Sequence, residues 1–88
     1  MYFISLVKFK KKPSKAFVAE NQKRLEADTK EGIKFLHIYW TLGRYDAVAL
    51  FEAPSEKVAM QMAIRRAENM AMETLVAVPR EEVKKLVE

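Results

Sequence analysis

Residues 2–9 read Tyr-Phe-Ile-Ser-Leu-Val-Lys-Phe, rich enough in β-branched and aromatic side chains for a strand, yet apolar at both parities. Successive strand side chains point to opposite sides, so a strand with one wet face alternates apolar with polar. Here Tyr2, Ile4 and Leu6 share one parity, and Phe3, Val7 and Phe9 share the other with only Ser5 as a polar member. Residues 33–42 repeat the pattern, with Leu36, Ile38, Trp40 and Leu42 against Phe35, His37, Tyr39 and Thr41. Residues 47–53 set Val48 and Leu50 against Ala47, Ala49 and Phe51. A sheet made of such strands needs cover on both faces. With 88 residues the chain has material for one thin core, but half of its residues are hydrophobic, a surplus for two layers. The economical cover is the same face of a second copy, in a two-fold dimer. The alternative is a monomer that leaves an aromatic face partly wet.

The remaining elements follow from punctuation. Lysines and then Pro13 end the first strand, and Pro13-Ser14 opens a helix that runs to about Glu31, where Gly32 suits a left-handed terminus. Strand two is Ile33 to Leu42, and Gly43-Arg44-Tyr45-Asp46 is short enough to demand a hairpin into strand three, Ala47 to Ala53. A second helix begins at Pro54-Ser55-Glu56 and reaches about Asn69, a residue type tolerated in the left-handed conformation. Thr74 to Val78 reads as strand four, and Pro79 to Glu88 as a short charged helix with Val83, Leu86 and Val87 on one side. The order βαββαβ with a helical tail is the split βαβ of the ferredoxin-like α+β fold, with a four-stranded antiparallel sheet, in a single domain over residues 1–88.

Composition removes whole classes of chemistry. There is no Cys, hence no disulfide, thiolate nucleophile or thiolate-bound metal, and the single His37 cannot build a histidine-rich metal site within one chain. No cofactor is expected; haem would find one histidine and no accompanying signal. The opening apolar run, Met1 to Val7, is too short to span a membrane and lacks a signal-peptide pattern, so a cytoplasmic protein is expected. Residues 1–44 carry ten Lys/Arg against four Asp/Glu, and residues 45–88 six against eight. The excess is concentrated at Lys8, Lys10, Lys11, Lys12 and Lys15, around one loop. No recognition helix or aromatic RNA platform accompanies these lysines, so they read as a solvated loop rather than a nucleic-acid interface.

The run Tyr39-Trp40-Thr41-Leu42-Gly43-Arg44-Tyr45-Asp46-Ala47-Val48, followed by Glu52-Ala53-Pro54, resembles the GYD domain family, named for its Gly-x-Tyr-Asp turn. Looser similarity covers nearly the whole chain, including the Pro near the start of helix one, the Ala-rich helix two and Glu73-Thr74-Leu75 with Ala77 after it. The resemblance implies a dimeric α/β barrel and no particular reaction. One departure is visible: the family usually has Gly before the Asn that closes helix two, whereas Glu68 precedes Asn69 here, so the exit of that helix is expected to differ.

Four groups of residues are candidates for function. Gly43 can take positive φ and Asp46 can accept from backbone N–H groups of the turn, which reads first as structural; Arg44 and Tyr45 at its tip are also placed to meet a ligand or a partner subunit. Helix one places Phe17, Val18, Leu25 and Thr29 on one face, with Asn21 and Asp28 in the middle of that stripe, where polar groups need partners. Either the helix is half exposed there, or a polar cleft lies between it and the sheet. Helix two repeats Ala59, Ala63 and Ala67, small enough for close packing, with Arg66 at the stripe's edge, where it would ordinarily snorkel. His37 and Tyr39, two apart on one strand face, can hold a polar ligand or exchange a proton. If that face is the helix side they join Asn21 and Asp28 in one pocket; if not, they lie in the dimer seam. The leading expectation is a homo-oligomer that binds a small organic ligand in a cleft lined by His37, Tyr39, Asn21 and Asp28. Its chemistry, if any, would be cofactor-free acid/base or oxygenation, with His37 as proton acceptor and Tyr39 as donor. The rival is a non-catalytic assembly or ligand-sensing regulatory module.

Overall fold

A computed structural model describes residues 1–87. It contains β1 (Tyr2–Phe9), α1 (Lys15–Lys30), β2 (Lys34–Trp40), β3 (Ala47–Glu52), α2 (Glu56–Arg66), β4 (Met70–Ala77) and α3 (Arg80–Leu86). The strands form one antiparallel sheet in the order β2-β3-β1-β4, the ferredoxin-like arrangement expected from the element order. Two serines start the long helices. Ser14 Oγ accepts from the Phe17 N–H at 3.1 Å and Ser55 Oγ from the Val58 N–H at 3.3 Å, satisfying donors that the first helical turn leaves free. Gly32 ends the first of these helices at φ +95°, as its position suggested.

Both helices lie on one side of the sheet. Beneath them Phe3, Phe51 and Ile33 pack with Ala53, Ala59 and Met62, the rings of Phe3 and Phe51 stacked at 5.4 Å. A second cluster joins Val7, Ala47 and Met70, with Phe9, Phe17 and Met72 against it. Ser5, the one polar residue at this parity of β1, is fully buried, and its hydroxyl shares a hydrogen bond with that of Thr74 at 2.9 Å.

Three expectations about the elements change. Strand four begins at Met70, not Thr74, because Met70, Ala71 and Met72 pair with Phe9, Lys8 and Val7 of β1; pairing partners, rather than β propensity, extend it. The second helix stops at Arg66, and residues 67–69 form a turn. Among the described residues only Gly32 and Gly43 have positive φ, so Asn69 is not left-handed. Strand two is not regular: the ladder shifts between Phe35 and His37, leaving Leu36 as an extra residue opposite β3. Phe35 pairs with Phe51, Ile38 with Ala49 and Trp40 with Ala47, so Phe35, Ile38 and Trp40 all face the helices although strict alternation would separate Phe35 from the other two.

Candidate functional site

The bulge decides where the candidate residues go. His37 pairs with Leu50 and Tyr39 with Val48, both on the face away from the helices. Their rings stack at 5.8 Å, with Tyr39 Oη 3.4 Å from His37 Nδ1, and both side chains are exposed. Asn21, Asp28 and Arg66 lie on the other side of the sheet. The expected cleft of His37, Tyr39, Asn21 and Asp28 is therefore not assembled within one chain, because a sheet backbone separates its two halves.

What lies between α1 and the sheet is a narrow apolar cleft of about 50 Å³, bordered by Phe9, Phe35, Ile38, Trp40, Met62 and Met70 among others, with Asn21 and Arg66 as its polar members. That volume holds about four water molecules. Phe9 sits against Trp40 at 5.1 Å and against Phe17 at 5.3 Å, so aromatic rings from β1, β2 and α1 meet at one side of the cleft. Trp40 itself is 55% exposed, which places it at the mouth.

Asp28 does not border this cleft. It is 1% exposed and holds two arginines: Arg66, also buried, on Oδ2, and Arg65 on Oδ1 at 3.1 Å. Arg65 continues to Glu31 in a two-pronged pair at 2.8 and 2.9 Å. That pair with Glu31, helped by Asp28, raises the proton affinity of Arg65 above its ordinary value despite the opposing effect of partial burial. The network ties the end of α1 to the end of α2. Asp28 thus answers the question posed by its place in an apolar stripe: it is an ion-pair centre, and Arg66, expected to snorkel, is its buried partner. Because Asp28 balances the charge of Arg66, the cleft presents guanidinium N–H groups without a net cation.

The hairpin turn fastens two other strands, β1 and β4. The Phe9 N–H donates to Asp46 Oδ2 at 2.8 Å, so Asp46 serves the end of β1 rather than its own turn. The Asp46 N–H bonds the Val7 carbonyl, and the Thr41 hydroxyl bonds the Tyr45 carbonyl. Tyr45 Oη donates to Glu73 Oε2 on β4 at 2.7 Å, and Arg44 lies over the Tyr45 ring at 5.5 Å. The carboxylate raises the Tyr45 pKa above 10, since ionising the phenol would lose that bond and set two anions together. Gly43 has φ +100° with open space where a side chain would project. The turn is a structural clasp, with Arg44 and Tyr45 bordering an open groove completed by Leu6, Lys8, Ala71, Met72 and Glu73.

Sequence reasoning missed Arg65 as an Asp28 partner and the aromatic and methionine lining of the cleft. The adjacent arginines at 65 and 66 were a usable signal, since a buried carboxylate requires cations. The lining had none, because the bulge that assembles it carries no Gly or Pro.

The four-stranded antiparallel sheet and its one-sided helices define a ferredoxin-like α+β domain. The family model described as the GYD domain matches residues 3–87, nearly the whole chain, and the chain belongs to that family. Among curated proteins none matches it. Among the described residues no helix is long and apolar enough to cross a membrane.

Proposed function

We propose that the protein is a self-associating module that holds a small, neutral, mostly apolar organic molecule between α1 and the sheet, and that it senses this ligand rather than transforming it. One observation carries the reading: the cleft is walled by aromatic and methionine side chains, and its polar members are an amide and an arginine already neutralised by Asp28. Such a lining favours a ring or short chain bearing one hydrogen-bond acceptor over an anion. No proton acceptor faces it from the described residues, which weighs against acid/base or oxygenation chemistry there. Assembly as a dimeric α/β barrel is supported by the other face, where Ile4, Leu6, Val48, Leu50 and Leu75 form an apolar centre with Tyr2, His37, Tyr39 and Glu73 around it, the usual anatomy of an interface.

A second reading rests on the stacked His37–Tyr39 pair. In a dimer it would lie in the seam, where a partner copy completes its surroundings and a proton could be exchanged with a molecule trapped there.

Saturation-transfer NMR with indole and with benzoate tests the first reading. Transfer to indole is expected, weaker transfer to benzoate, and loss of both in Ala49→Leu, which adds bulk to the cleft lining. Equal transfer to wild type and Ala49→Leu would overturn it, and loss only in His37→Ala would favour the seam.

A further inference from the structure

The helix α3 packs loosely on the rest of the fold. α3 buries no residue, and its apolar ridge of Val83, Leu86 and Val87 is 39%, 70% and 78% exposed, with Val78 before it at 50%. The ridge is flanked on the helical wheel by Arg80 and Lys84 on one side and Glu82 on the other. α3 leaves the sheet beside Tyr2, close enough for Glu82 to help oppose ionisation of that phenol, after the larger effect of Glu52.

At the opposite end of the same sheet face lies the groove under the hairpin turn, about 410 Å³, floored by Leu6 and Ala71. Its β1 and turn side carries Lys8 and Arg44, and its β4 side carries Glu73. This order of charges complements the flanks of α3, with Glu82 toward the lysine and arginine and Arg80 and Lys84 toward Glu73. The chain's own α3 does not reach it. None of its residues borders the groove.

We infer that α3 is an exchanged arm: in the dimer, the Val83–Leu86–Val87 ridge of each chain seats in the groove between Lys8, Arg44 and Glu73 of the second copy. The two-fold axis then lies in the plane between the sheets and across the strands, so that the Tyr2 end of one copy meets the Tyr45 end of the other. The inference rests on the proposed self-association through the open face.

The absence of cysteine makes the test clean. Ala71→Cys and Leu86→Cys are both at exposed positions and would be combined, oxidised mildly and run on a non-reducing gel beside sedimentation of the reduced protein. A covalent dimer from the double variant, and from a mixture of the two single variants, is expected. In parallel, Leu86→Asp should weaken the dimer at least about 10-fold with unchanged helical content. A sedimenting dimer without cross-linking overturns the arm but spares the sheet-face dimer, and an intramolecular disulfide assigns α3 to its own chain. A monomer under all conditions overturns both.

Discussion

Asp28 is the residue on which the helical layer turns, since its carboxylate is buried where only two arginines satisfy it. Removing one partner of a buried pair leaves a charge uncompensated, whereas replacing both by apolar groups of similar size often costs little. Asp28→Leu, which leaves the buried Arg66 without its carboxylate, is therefore expected to lower stability by about 3 kcal/mol in urea denaturation, while Asp28→Leu with Arg66→Met is expected to cost much less. Equal losses in the two proteins would contradict the assignment. Arg65 retains Glu31 in either case. The phenols give a second check. Tyr45 and Tyr2 each donate to or face a carboxylate, and both have raised pKa values. Their contribution to stability is complete below the ordinary tyrosine pKa of about 10 and is lost as pH rises through the higher folded values. Ultraviolet titration should show late-ionising phenols, with Glu73→Gln returning Tyr45 toward ordinary behaviour. A Glu73→Gln curve identical to wild type would remove the clasp.

Among the elements, the two left-handed glycines perform the same backbone service in different surroundings. A side chain at Gly43 meets nothing within 4 Å, whereas at Gly32 its Cβ would come to 3.0 Å from Pro54 Cγ. Gly43→Ala should therefore cost the left-handed strain alone, about 1 kcal/mol, and Gly32→Ala distinctly more, by thermal denaturation of both variants. The reverse order would mean that the turn after α1 is looser than its contacts indicate. The β2 bulge is the other element-scale device. It lets Phe35 share a side with Ile38 and Trp40, so one unpaired residue, Leu36, both lines up the cleft wall and turns His37 and Tyr39 away from it.

For the whole molecule, the helix-free sheet face is an apolar surface that no element of the described chain covers. Leu50 stands near its centre, on β3 between Ile4 of β1 and His37 of β2. Leu50→Lys should abolish the proposed self-association in sedimentation while leaving the far-ultraviolet spectrum intact, because the side chain faces away from the core. A persisting dimer would move the interface elsewhere.

How far could this be read from residues alone? Strand parities that are apolar on both sides, serine caps before two helices, and glycines at a helix end and a hairpin specify the element order and hence the fold. These are local signals, and each acts within a few residues of where it is written. The Gly43–Asp46 turn was legible as a family mark and a turn, though not as a clasp, since Phe9 and Glu73 are distant in sequence. Only tertiary structure decided which face each side chain of β2 occupies, because one extra residue in a strand reverses every parity beyond it. It likewise decided that Asp28 belongs to Arg65 and Arg66 rather than to a pocket with His37. Pairing across a sheet and between helices is a property of the assembled layers, and the choice of partner for a buried charge is made there.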